Sequence, residues 1–241
     1  MALTDFDPED YPIVVAIDFG TTFSQVNILA TPIQTGCAYA YAPEDKEART
    51  ITSWPKQNVQ YAKTPTLNLY KEVNGKYKMV EWGWKLKLQM ETPAASKYIQ
   101  LYQYKPHLDE NLALVPWKNT ISVPTAISDY LEALHEYVAE KILQEFGRSY
   151  GRKSFRYCLT VPAMWSDKAK DVMRKAAIRA GLISGDDHPD RLMLVSEPEA
   201  AALYCEKACK QFDLGHGDRF MICDAGGGTV DLIVYEITMT A

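Results

Sequence analysis

One pattern occurs twice, at opposite ends of the chain, and it restricts the possible folds more than any other feature. Near the start, Val14-Val15-Ala16-Ile17-Asp18-Phe19-Gly20-Thr21-Thr22-Phe23-Ser24-Gln25-Val26 is an apolar run that ends on an aspartate and passes into glycine and hydroxyl residues. Near the end, Phe220-Met221-Ile222-Cys223-Asp224-Ala225-Gly226-Gly227-Gly228-Thr229-Val230-Asp231-Leu232-Ile233-Val234 repeats that order. Each copy reads as a buried strand, a tight turn and an alternating strand. Glycine permits positive φ and close backbone approach, so successive N–H groups of such a turn can point at phosphate oxygens. Asp18 and Asp224 stand at the strand ends, where a hard cation would sit. Magnesium keeps several waters and takes one or two carboxylates plus substrate phosphates, so it suits this pair better than a bare metal site would. Either copy alone also fits an ordinary β-hairpin. The two together, in one strand context, point to a duplicated nucleotide site.

With 241 residues, 47% of them hydrophobic, the chain can bury one substantial core, or one core and part of another. Lysine and arginine total 26 against 31 acids, a net charge of −5, with no basic cluster. Nucleic acid is therefore not an expected partner, because phosphate neutralisation needs concentrated positive charge. The acidic start, Met1 to Asp10, lacks the zones of a signal peptide, and no apolar run approaches the length of a membrane span. The expected setting is cytoplasmic, with no membrane partner. Five cysteines, Cys37, Cys158, Cys205, Cys209 and Cys223, form no disulfide framework and fit reduced thiols. Cys158 and Cys223 fall in strand patterns and are expected in the core. Cys205, Cys209 and His216 lack a fourth partner for structural zinc.

Between the two copies the chain alternates strands and helices. Residues from about Thr31 to Thr120 are rich in Pro, Tyr and Trp, with strand candidates at Thr66 to Tyr70 and Lys76 to Trp82. Ile127, Tyr130, Leu131, Leu134, Val138, Ile142, Leu143 and Phe146 follow at helical spacing, with Pro124 at the start and Gly147 at the stop. A strand from Phe155 to Val161 is closed by Pro162. A helix capped by Ser166 or Asp167 then runs to Gly181, followed by a strand from Arg191 to Val195 and an alanine-rich helix from about Pro198. This order predicts an α/β fold with a mixed sheet covered by helices.

Four segments, in this order, carry a family resemblance. They are Ile17 to Ser24; Leu159-Thr160-Val161-Pro162-Ala163-Met164-Trp165-Ser166-Asp167 with its helix to Leu182; Ser196-Glu197-Pro198-Glu199-Ala200-Ala201-Ala202; and Asp224 to Asp231. The chain resembles the actin-like ATPase superfamily, and most closely the 70-kilodalton heat-shock chaperones, in a divergent branch. The resemblance implies the actin-like, ribonuclease H-like fold, with an N-terminal tail over 1–12, a first lobe over 13–210 carrying an inserted subdomain at about 45–120, and the beginning of a second lobe over 211–241. It also implies ATP or ADP with Mg2+ in a cleft between lobes. Gly20, Thr21, Thr22 and Phe23 would hold phosphates in the first loop, and Gly226, Gly227, Gly228 and Thr229 in the second. Asp18 and Asp224 would hold the water shell of the metal, Asp231 would assist the catalytic water network, and Glu197 would reach toward the metal and the attacking water. Glu197 also suits a helix start on electrostatic grounds alone. Pro162 matches the hinge proline of the family and is equally a strand terminator.

Two departures qualify this picture. The family's catalytic lysine has its best counterpart in Lys105, against which stands the usual exposure of lysines at the surface. The chain also ends soon after the second hairpin, before the adenosine-binding segment of the family, so a truncated or partial protein is expected. Function is thus read as a chaperone-like ATPase domain, with protein clients or cochaperones as possible partners of the complete protein. The alternatives are an inactive scaffold for protein interaction and a small-molecule kinase on the same fold.

Overall fold

A computed structural model describes residues 6–20, 34–42, 44–45, 47–58, 60–87, 98–110, 117, 119–146, 150–208, 215–225 and 230–238. The strand β1 (Ile13–Phe19) alternates as its sequence demands: Ile13, Val15, Ile17 and Phe19 are buried, and Val14, Ala16 and Asp18 are half-buried. β1 runs antiparallel to β2 (Gln34–Tyr41), whose far side takes β3 (Arg49–Thr50) and β4 (Lys63–Pro65). A separate sheet of order β6-β5-β7 is built from β5 (Asn68–Val73), β6 (Lys76–Trp82) and β7 (Tyr98–Leu101). On its other side β1 runs parallel to β8 (Phe155–Val161), and β8 runs parallel to β9 (Leu192–Ser196). The main sheet is therefore mixed, in the order β3-β2-β1-β8-β9. Within the span 45–120 expected for an inserted subdomain, β3 and β4 join this main sheet, while β5 to β7 pair among themselves.

Among the described residues four α-helices accompany the strands: α1 (Trp84–Lys87), α2 (Val123–Phe146), α3 (Asp167–Arg179) and α4 (Glu197–Ala208). α2 buries Ile127, Tyr130, Leu131, Leu134, Val138 and Ile142, the stripe that its periodicity predicts, and packs on α3. Ser166 caps α3 by accepting from the Ala169 amide at 3.3 Å, and Gly181, at φ +75, follows the helix end. Among the described residues, β10 (Arg219–Ala225) and β11 (Val230–Glu236) pair only with each other, and α4 packs against β10. Their register sets Cys223 opposite Leu232, and both are exposed. Cys223 is therefore not a core residue as its strand pattern suggested, because a two-stranded ribbon leaves one face uncovered.

Phe19 pairs with Thr35, and of the turn expected from Gly20 onward only Gly20 lies within the described residues. At its start the strands approach so closely that a Cβ on Gly20 would lie 2.0 Å from the Gln34 carbonyl oxygen. Only glycine fits there.

A fully buried asparagine ties the second sheet to α2. Asn68 Nδ2 donates to the Ala126 carbonyl at 2.7 Å, and Asn68 Oδ1 accepts from the Tyr104 hydroxyl at 3.2 Å. This fixes Tyr104, the residue before Lys105. Elsewhere on α2, His135 is buried with Nε2 at 2.9 Å from the Tyr157 hydroxyl. Burial first, then the charges of Arg152 and Arg191, push its pKa down to about 4 from 6.5. The folded protein thus keeps His135 neutral where the unfolded chain would protonate it, so stability falls as pH drops below the unfolded value. We expect wild type to lose about 2 kcal/mol more than His135→Gln between about pH 7 and about pH 5, as measured by urea unfolding. Parallel pH profiles would refute this.

Candidate functional site

The C-terminal end of β1 supplies Phe19 and Asp18, a short 3-10 turn at Lys105–Leu108 supplies Lys105, and the first turn of α4 supplies Glu197. These segments meet at Lys105. Its side chain is only 1% exposed, and Nζ lies 2.8 Å from Glu197 Oε1, on a side chain 15% exposed. Nζ also donates to the carbonyl of Phe19. The Phe19 and Trp165 rings lie 5.2 and 5.4 Å from the ammonium, within cation–π range. The competing surface reading of Lys105 is therefore wrong: the lysine is buried because a carbonyl, a carboxylate and two ring faces replace its water. Burial pushes its pKa down, while the charge and hydrogen bond of Glu197 and the charge of Asp18 act to keep the proton on.

Asp18 lies in the next layer of this arrangement. Its Oδ1 accepts from the Thr160 hydroxyl at 3.1 Å, and its Oδ2 from Lys63 Nζ at 3.1 Å. The parallel register of β1 and β8, which pairs Ile17 with Leu159, brings Thr160 alongside Asp18. Ser196 Oγ accepts from the Glu199 amide at 3.3 Å and so caps the start of α4, where Glu197 and Glu199 fall in the first turn. Acids there are favoured by the helix dipole, which helps to hold Glu197 in place.

Of the other residues expected at the site, Gly20 lies at the close approach described above. Thr21, Thr22, Phe23, Gly226, Gly227, Gly228 and Thr229 lie outside the described residues. Asp224 and Asp231 are register partners across β10 and β11, one pair in from the end where residues 226–229 link the two strands. Two residues against Asp18, Lys63 and Thr160, were not singled out from sequence. Thr160 was open to discovery from the alternation of β8, whereas Lys63 reaches Asp18 through two successive strand pairings that no local pattern encodes.

Among the described residues, no three His, Cys, Asp or Glu gather as a metal site. The acids present do suit a cation held through its water shell. Among the described residues each Asp18 oxygen accepts one hydrogen bond while the side chain stays 45% exposed, which leaves lone pairs for water. Nor is any helix of the described residues long and apolar enough to cross a membrane.

The mixed sheet, with its second sheet and hairpin, is the actin-like fold. MreB5 of Spiroplasma citri, solved bound to ADP, matches with a TM-score of 0.51 and 14% identity over 95% of this chain and 50% of that one. By sequence, mouse heat shock 70 kDa protein 12A is 26% identical over 98% of this chain and 43% of its own length. The chaperone protein HscA of Proteus mirabilis is 27% identical over 96% of this chain and 34% of its own. No family model matches the chain. Over most of its length, then, the chain is homologous to the 70-kilodalton heat-shock family, and it spans less than half the length of these two relatives.

The buried pair makes a stability prediction. Removing one member of a buried ion pair strands the other, so Lys105→Met should lower the unfolding free energy by about 3 kcal/mol. Adding Glu197→Gln should return most of that loss in urea unfolding, whereas simple additivity of the two substitutions would show that the residues do not interact.

Proposed function

We propose that residues 13–210 form the first lobe, and residues 211–241 the opening of the second, of an ATP-binding domain whose complete protein hydrolyses ATP to ADP and phosphate in a chaperone-like cycle. The observation that carries this reading is the buried Lys105. An ammonium has three N–H donors, and among the described residues one goes to Phe19 and one to Glu197, with a third suited to a phosphate oxygen. A cation buried at the end of a strand, beside a glycine where backbones nearly touch, is suited to an anionic ligand.

Phosphoryl transfer depends on positioning and charge stabilisation more than on covalent chemistry. In the proposed reaction a water attacks the γ-phosphorus, and the bond from γ-phosphorus to the bridging oxygen breaks, releasing ADP. Glu197, held by Lys105, orients the water, and Asp231 accepts into the same hydrogen-bond network to carry its proton away. Lys105 offsets negative charge on the transferred group. Gly20, Thr21, Thr22 and Phe23 hold phosphates from one side, and Gly226, Gly227, Gly228 and Thr229 from the other. Asp18 and Asp224 would hold magnesium through its water shell, and the cation would supply further neutralisation of phosphate charge. Protein clients and cochaperones are the proposed partners of the complete protein. A reducing, cytoplasmic setting is consistent with the free thiols of Cys37, Cys158, Cys205 and Cys223.

Calorimetry with ATP and magnesium tests the reading. Asp18→Asn combined with Asp224→Asn should weaken binding by about tenfold or more. Unchanged affinity in that double variant would sink the assignment.

A further inference from the structure

Asp18, Gly36 and Lys63 form one row across three strands. Asp18 pairs with Gly36 between β1 and β2, and Gly36 pairs with Lys63 between β2 and β4. The middle position has no side chain, and the lysine stem lies over it: a Cβ on Gly36 would be 3.6 Å from Lys63 Cγ and 3.8 Å from Cε. The stem therefore crosses β2 and delivers Nζ to Asp18 Oδ2, 3.1 Å away. Trp84 Nε1 donates to the Lys63 carbonyl at 3.1 Å and anchors the backbone at the base of this arm.

The ion pair is open to solvent, with Lys63 44% and Asp18 45% exposed. A pair this exposed contributes little to folding, and its ammonium can change partners at small cost. Lys105 cannot do so as readily, since it is buried against Glu197. The described charges thus balance, two carboxylates against two ammoniums, before any ligand enters. An incoming nucleotide adds several negative charges, for which such sites normally depend on a divalent cation.

We propose that Lys63 is a second nucleotide-binding lysine of this cleft, pairing with Asp18 when no divalent cation is present and supplying to the phosphates part of the positive charge that the cation would bring. The consequence is nucleotide binding that depends less on magnesium than it would without this side chain. The inference rests on the nucleotide-binding reading above and concerns how that site is neutralised.

ADP affinity, measured by calorimetry with magnesium and again with the metal chelated, tests it on wild type, Lys63→Met and Lys63→Arg. Chelation should weaken ADP binding by about threefold in wild type and in Lys63→Arg, and by about thirtyfold in Lys63→Met. Melting temperatures without nucleotide should agree closely among the three, as befits an exposed pair. Equal chelation factors in wild type and Lys63→Met would overturn the proposal while leaving the nucleotide site intact. Failure of wild type to bind ADP in either buffer would remove the nucleotide reading and this proposal with it.

Discussion

A buried ammonium needs partners from wherever the chain can supply them, and that need organises the centre of this molecule. Lys105 draws in the carbonyl at the end of β1, the carboxylate at the start of α4, and the rings of Phe19 and Trp165. Transfer of a lone charge out of water is far too costly for a domain of marginal stability, so each partner must be in place. The sheet order is the means: β1 lies at its centre, β8 and β9 stack beside it in parallel, and the start of α4 follows β9 without a break. Asn68 completes the arrangement from the other side by fixing Tyr104 and α2 together.

The same geometry separates two kinds of lysine. Lys105 is immobilised by burial and by its two acceptors, whereas Lys63 is a half-exposed arm whose stem lies across a glycine. One is suited to holding a fixed charge beneath a ligand, the other to exchanging one anion for another. Asp18 lies within the influence of both and is further oriented by Thr160.

Much of the architecture was legible where the signal is local. The strands Lys76 to Trp82 and Phe155 to Val161 were read with the bounds they have, and α2 and α3 followed from the 3.6-residue spacing and the cap at Ser166. What could not be read depends on contacts between distant segments. The burial of Lys105 opposes the usual exposure of lysine and follows only from partners 86 and 92 residues away. Lys63 reaches Asp18 only through the glycine at position 36, and the exposure of Cys223 reflects how little covers its ribbon rather than its own strand pattern.

In the proposed site the buried Lys105 forms the floor of an anion-binding cleft. Amine labelling followed by mass spectrometry, comparing lysines with and without ATP and magnesium, measures this directly. Lys105 should label far more slowly than exposed Lys168, and Lys63 should become slower when nucleotide is added. Labelling of Lys105 as fast as Lys168, with no change at Lys63 on adding nucleotide, would contradict this reading.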